Sequence, residues 1–127
     1  MLGWFKNKAQ QPNSPDFSTV DSQLKAEDLF RKGKLEKIFL MPPDFGGMNH
    51  LINIVYVPIG IAEIKEGIDG NVITKLIDEG KITEYSAAPE YQGTSFIPIA
   101  IRIKASNPGQ FSTLIKIWGD ALASEYK

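Results

Sequence analysis

The fold is decided by an alternating stretch near the end of the chain, which reads Phe96-Ile97-Pro98-Ile99-Ala100-Ile101-Arg102-Ile103-Lys104. An isoleucine stands at every second position from 97 to 103. Because successive side chains of a strand point to opposite faces, this pattern predicts a β-strand with one buried face. Pro98 has no amide hydrogen to donate, so we expect an edge, a bulge or an unpaired stretch there.

A second alternating run follows the turn Asn107-Pro108-Gly109-Gln110, and it covers residues 111–118. Two alternating runs joined by a short turn rich in glycine and proline predict an antiparallel hairpin. Residues 81–88 indicate a third strand, which ends at Pro89. The second half of the chain is therefore predicted to be a three-stranded meander.

Two further strands are predicted in the first half of the chain, at residues 35–40 and 51–57. The second is apolar at both alternating positions, which is typical of a strand covered on both faces by helices, another sheet or a second subunit. A helix is predicted before them, over residues 20–32, with Asp21 as its cap and Gly33 as its end.

Residues 60–79 change to a helical period, with apolar side chains at spacings of three and four: Ile61, Ile64, Ile68, Val72 and Leu76. Gly67 and Gly70 interrupt this stripe, which leaves two other interpretations open. One is a tight hairpin turn at Asp69-Gly70, and the other is a helix split at Gly67 with Asp69 capping its second half. We favour a helix, kinked or split, because the stripe continues on both sides of the glycines.

These elements predict an α+β fold, in the order α-β-β-α-β-β-β. Its antiparallel sheet would have about five strands, with helices packed on one face. Residues 1–19 are polar after the first few positions and contain Pro12 and Pro15, so they predict a flexible N-terminal arm. Residues 20–127 then form a single domain.

Composition excludes several kinds of chemistry. The 127 residues contain one histidine and no cysteine, so no disulfide, thiolate nucleophile or multi-histidine metal site is expected. We expect no metal and no cofactor, because no dinucleotide or phosphate-loop motif occurs either. The formal net charge is −1, whereas nucleic-acid-binding domains are usually clearly basic, so no nucleic-acid partner is expected.

The sequence shows no export or membrane signal. Its start lacks a charged segment before an apolar run, and no apolar run reaches eighteen residues. Leu2, Trp4 and Phe5 form too short a group for stable membrane association. We therefore expect a cytoplasmic protein, a small domain of bacterial type.

A catalytic site has weak support from the sequence. Asp44 and His50 flank a glycine loop, where they could serve as a general base and its orienting carboxylate. A lone histidine at the start of a strand is more often an ordinary surface residue. No serine lies in a nucleophile-elbow motif.

Binding surfaces have more support than catalysis. Phe45 and Met48 lie on a loop stiffened by proline, where apolar side chains can anchor a partner. Residues 60–90 carry three lysines and seven carboxylates, 3 − 7 = −4, which suggests an acidic contact surface. The partner-binding candidates are Phe45, Met48, Glu63, Glu66, Asp78, Glu79, Phe96 and Trp118.

The leading hypothesis is a non-enzymatic module that binds a protein partner or itself, with a homodimer as one form. Two alternatives stay open. One is a carrier or sensor of a small apolar molecule, with the ligand held between the sheet and the long helix. The other is an enzyme that uses His50 and Asp44.

Overall fold

The chain forms two antiparallel sheets in a computed structural model, which describes residues 14–127. The first sheet pairs β1 (Leu35–Phe39) with β2 (Ile54–Pro58). The second has the order β3-β4-β5 and is built from β3 (Glu84–Glu90), β4 (Ala100–Ser106) and β5 (Gln110–Lys116). The predicted α+β class is confirmed, but the single five-stranded sheet is wrong.

The connection between β2 and β3 is helical. A long helix occupies residues 61–78, and both this helix and the N-terminal helix pack on the β1–β2 pair. Val55, Tyr56 and Val57 of β2 are all buried. The predicted covering of both faces of this strand is therefore confirmed.

The C-terminal hairpin has the predicted pairing, with Ile101 opposite Ile115 and Ile103 opposite Thr113. All four alternating isoleucines, from 97 to 103, are buried. The strand itself begins at Ala100 rather than at Phe96. Pro98 explains the late start, because it cannot donate to a strand partner and so lies in the predicted unpaired stretch.

The long helix is continuous, and its middle is wider than an α-helix. It consists of α2 (Ile61–Gly67), a π-helical segment (Ile68–Ile73) and α3 (Thr74–Asp78). The amide of Thr74 donates to the carbonyl of Asp69, five residues back. The hairpin interpretation of Asp69-Gly70 is therefore wrong, and so is the interpretation that splits the helix with Asp69 as a cap.

The N-terminal helix, α1 (Gln23–Arg31), is capped by Ser22 and not by Asp21. The Ser22 hydroxyl accepts a hydrogen bond from the amide of Lys25 at 3.1 Å. Asp21 instead pairs with the Lys25 ammonium at 2.7 Å. Both residues carry an oxygen that can cap a helix, so the sequence did not separate them.

The predicted N-terminal arm falls partly outside the described residues, at positions 1–13. Residues 14–19 are described, and they form no helix or strand. Phe17 packs edge-on against Trp118, with 5.8 Å between ring centroids. Its carbonyl also accepts a hydrogen bond from the hydroxyl of Ser95 at 2.8 Å. These contacts fix Phe17 to the segment before β4 and to the segment after β5.

The bounds of other elements differ from the predicted ones by a few residues. Residues 51–53 form a short 3₁₀ helix (Leu51–Asn53) before β2 begins. Pro89 lies inside β3, opposite Ile101, where the position of β3 at one end of the β3-β4-β5 order tolerates a missing donor. A further 3₁₀ helix (Gly119–Leu122) follows β5. Within residues 14–127, no helix has the length and apolar character needed to cross a membrane.

Candidate functional site

The connection between β1 and β2 contains a hydrogen-bonded loop at residues 41–53, which we call the apolar loop. Asn53 holds it closed, because its amide oxygen accepts from the Met41 amide at 2.7 Å. The Asn53 side-chain nitrogen donates to the carbonyls of Met41 and Met48, both at 3.0 Å. One side chain thus links both ends of the loop to its middle.

Gly47 makes the closest backbone approach in this loop. Its amide donates to the carbonyl of Pro42 at 2.9 Å. A Cβ atom at this position would lie 1.7 Å from the Met41 carbonyl oxygen, well inside contact distance. The loop conformation therefore requires glycine at position 47.

Three large apolar side chains on the apolar loop are exposed to solvent. The exposed fractions are 73% for Met48, 68% for Leu51 and 83% for Ile52. Met48 was a predicted partner-binding residue and lies on the surface. Leu51 and Ile52 escaped the sequence analysis because the run 51–57 reads as one buried strand. Phe45 is half-buried and turns inward, 5.2 Å from the Tyr85 ring.

The predicted catalytic pair is not assembled in the described part of the chain. Asp44 and His50 are both exposed, and no hydrogen bond or ion pair within residues 14–127 joins them. The Nδ1 atom of His50 accepts from the amide of Ile52 at 3.3 Å and thereby caps the Leu51–Asn53 helix. His50 therefore stabilises the start of this short helix.

The predicted acidic residues lie on the surface of the long helix and just beyond it. Glu63, Glu66, Asp78 and Glu79 are all exposed. Glu79 pairs with Lys81 at 3.3 Å, and both side chains are largely solvated. Surface pairs of this kind contribute little to stability, so the residues remain available for contact with a partner.

The two predicted aromatic residues differ in exposure. Phe96 is 44% exposed and lines a shallow groove with Tyr91. Trp118 is buried at 2% exposure, and its indole nitrogen donates to the Ile97 carbonyl at 3.0 Å. Trp118 is a core residue in this structure, because β5 has ended and the chain turns its indole inward.

A buried polar cluster joins the long helix to β3, and the sequence analysis missed it. The Lys65 ammonium lies 2.6 Å from Oδ2 of Asp69. It also donates to the Tyr85 hydroxyl at 3.1 Å, and that hydroxyl donates to Oδ1 of Asp69 at 2.7 Å. The three side chains thus form a closed ring of hydrogen bonds, which we call the Lys65–Asp69–Tyr85 cluster.

Burial makes this cluster chemically unusual. Lys65 is 3% exposed and Asp69 8%, although charged residues of these types are rarely buried. Burial lowers the pKa of the Lys65 ammonium, and the neighbouring Asp69 carboxylate opposes that effect. Burial and the hydrogen bond to Asp69 raise the pKa of the Tyr85 hydroxyl, so it stays protonated. A lysine whose charge is disfavoured, beside an acid and a hydroxyl, is typical of reactive sites.

The cluster borders a groove between the long helix and the start of the apolar loop. The part nearest Lys65 has a volume of about 260 Å³. Its apolar walls are Ile38, Phe39, Pro42, Pro43 and Ala62. Asp69 also borders the adjoining part, of about 440 Å³, beside Phe45 and Thr74. The cluster therefore has a route toward solvent.

Helix geometry explains why the sequence analysis missed the cluster. Ile61, Lys65 and Asp69 follow one another at spacings of four and share one buried face. The predicted stripe included Ile64, which is 50% exposed, and so placed the buried face slightly wrong. An i, i+4 Lys–Asp pair in line with Ile61 was the available signal. Within residues 14–127, no group of histidine and carboxylate residues is arranged to hold a metal ion.

Comparison with known proteins gives no relative. A scan against models of protein families, a search of curated proteins and a search of solved structures each found no match.

Proposed function

We propose that this protein is a non-enzymatic module that binds a protein partner or a second copy of itself through the apolar loop. The observation that carries the proposal is the exposure of Met48, Leu51 and Ile52 within five residues. Single apolar residues on a surface are ordinary, whereas grouped ones commonly mark interaction sites.

The energy available at such a surface supports this function. Burying one large apolar side chain contributes about 1.5–3 kcal/mol, so three together offset a large part of the cost of association. The hydrogen bonds of Asn53 already fix the loop, so little further ordering is needed when a partner binds. Rigid apolar anchors of this kind often dominate binding energy.

The test is a double substitution with a matched control. In Leu51→Ser/Ile52→Ser, we expect self-association measured by light scattering to weaken at least tenfold. The control is Leu24→Ser/Ile59→Ser, because Leu24 and Ile59 are comparably exposed at 73% and 61% but lie outside the apolar loop. Equal association of the two variants would contradict the proposal for a homodimer.

A protein partner of another kind is tested by photo-crosslinking. A photoreactive residue at Met48 should capture a protein in cells that make this chain, and the same residue at Leu24 should not. The double substitution Leu51→Ser/Ile52→Ser should abolish the Met48 product. A product that survives this substitution, or that forms equally at Leu24, would count against the apolar loop as the contact surface.

A second candidate, the carrier of a small apolar molecule, is favoured by one groove. It lies between the end of the long helix and β3, has a volume of about 370 Å³, and is lined in part by Ile77, Ile82 and Tyr85. This is the region between helix and sheet where such a ligand is expected. A screen of small aromatic and aliphatic compounds should then raise the melting temperature. If none of them does so, the carrier function loses its support.

A further inference from the structure

The groove beside Lys65 holds features that the proposed binding function does not use. The lysine is 3% exposed, yet it borders an open groove of about 260 Å³. Its ammonium has two fixed partners, Asp69 at 2.6 Å and Tyr85 at 3.1 Å. Among the lysines of residues 14–127, Lys65 alone is buried.

We propose that Lys65 is a carbonyl-reactive amine, which forms an imine with a small aldehyde that enters this groove. The assignment rests on the groove and on the geometry of the Lys65–Asp69–Tyr85 cluster, so it is independent of the apolar loop. The groove is lined by Lys37 and Glu66 and by five apolar residues, Ile38, Phe39, Pro42, Pro43 and Ala62. The apolar part of this lining suits the carbon chain of a small aldehyde, and the available volume limits its size.

The first requirement is an uncharged amine, because an ammonium has no lone pair for attack. Oδ2 of Asp69 lies 2.6 Å from Nζ, so this carboxylate is placed to take the ammonium proton as the amine becomes the nucleophile. Burial also lowers the pKa of the Lys65 ammonium, which favours release of this proton. Tyr85 keeps its proton and holds Oδ1 of Asp69 in place.

The reaction then balances without any further reagent. The neutral Nζ attacks the carbonyl carbon, a C–N bond forms, and the carbonyl electron pair moves to oxygen. That oxygen takes a proton from the Asp69 acid, and Nζ returns one to the Asp69 carboxylate, which leaves a carbinolamine. Asp69 then protonates the hydroxyl, which departs as water while the nitrogen lone pair forms the C=N bond. The product is a protonated imine beside the Asp69 carboxylate.

The experiment uses propionaldehyde with cyanoborohydride, which reduces each imine to a stable propyl amine. Peptide mapping by mass spectrometry then gives the labelling rate of every lysine in the same sample. An unperturbed lysine side chain in a model peptide has a pKa of about 10.4, so near pH 7 very little of it is the free amine that attacks an aldehyde. We expect Lys65 to be labelled about tenfold faster than exposed Lys75, which lies on the same helix.

Two variants test whether the labelling rate of Lys65 depends on the groove. Ala62→Leu fills the groove beside Lys65, so it should lower the Lys65 rate several-fold while leaving the Lys75 rate unchanged. Lys75→Arg is the matched control, and it should leave Lys65 labelling as in the unchanged protein. Circular dichroism establishes that each variant is folded before labelling.

The wild-type protein alone is enough to overturn the proposal. If Lys65 is labelled no faster than Lys75, Lys65 has a structural role only. An unchanged Lys65 rate in folded Ala62→Leu would also overturn it, because the aldehyde would not be arriving through the groove. Neither result bears on the apolar loop, whose function is tested by association and crosslinking.

Discussion

At the scale of single residues, replacement of Lys65, the buried partner of Asp69, has the largest expected effect on the free energy of unfolding. Lys65→Met removes the ammonium and leaves the Asp69 carboxylate without its counter-charge at 8% exposure. Breaking a buried pair in this way costs about 3–5 kcal/mol, so we expect the free energy of unfolding in urea to fall by that amount. Lys75→Met, at an exposed position of the same helix, should change it by less than about 0.5 kcal/mol. A loss below about 1 kcal/mol in Lys65→Met would contradict the buried pair.

Gly47 offers a second test at this scale. Gly47→Ala places a Cβ atom against the Met41 carbonyl, so the apolar loop must shift. We expect a loss of about 1–3 kcal/mol in the free energy of unfolding, together with faster hydrogen exchange at the amide of Gly47, which bonds to Pro42. Unchanged exchange at this amide would mean that the loop accepts alanine as it stands.

Individual site residues were only partly predictable from the sequence. Met48 was named as a partner-binding candidate because proline and glycine mark its segment as a loop, and it is exposed; its role in binding stays a prediction. Trp118 was named as a partner-binding candidate but is buried, because the alternating pattern does not show where β5 ends and the chain turns inward. Lys65 went unnoticed because burial of a lysine depends on partners from other parts of the chain, here Tyr85, twenty residues away.

At the scale of elements, the long helix contains glycine where alanine would fit. Gly67 has an ordinary helical backbone with φ of −63°, and no atom lies within 4 Å of an added Cβ. Gly67→Ala should therefore raise the free energy of unfolding by about 0.5–1 kcal/mol, measured in urea. A loss of stability would mean that the adjoining π-helical segment needs a freer backbone at this position.

Periodicity predicted the elements better than it predicted their arrangement. The alternating isoleucines of β4 and the stripe of the long helix each follow from local geometry. The division into two sheets does not, because hydrogen-bond partners between strands lie far apart in sequence. The π-helical segment was not predicted either. Its hydrogen bonds span five residues instead of four, and this difference leaves no distinct pattern in the apolar spacing of residues 60–79.

At the scale of the whole molecule, a polar contact ties the end of the chain to the second sheet. Glu90 accepts from Arg102 at 2.7 Å and from the Tyr126 hydroxyl. These two hydrogen bonds, that of Arg102 foremost, hold the pKa of the Glu90 carboxyl below its usual range. Its contribution to stability is then present above about pH 4.3 and is lost as the pH falls through the lowered pKa.

The corresponding prediction concerns the free energy of unfolding at low pH. The free energy of unfolding should fall as the pH is lowered from about 5 to about 3, and the fall should be smaller in Glu90→Gln. Glu125→Gln, at an exposed carboxyl near Tyr126, serves as the control and should retain the full fall. If both variants behaved alike, the link between Glu90 and the chain end would contribute nothing to acid sensitivity.

The packing of Phe17 on Trp118 also has a consequence for biosynthesis. About 100 residues separate the two rings, so the ribosome must add all of these before Phe17 can meet its neighbour. The Ser95 hydroxyl that bonds the Phe17 carbonyl is likewise made late. During translation, the Phe17 ring stays without this partner until the segment after β5 has been made, so the nascent chain exposes apolar surface that the folded molecule partly covers.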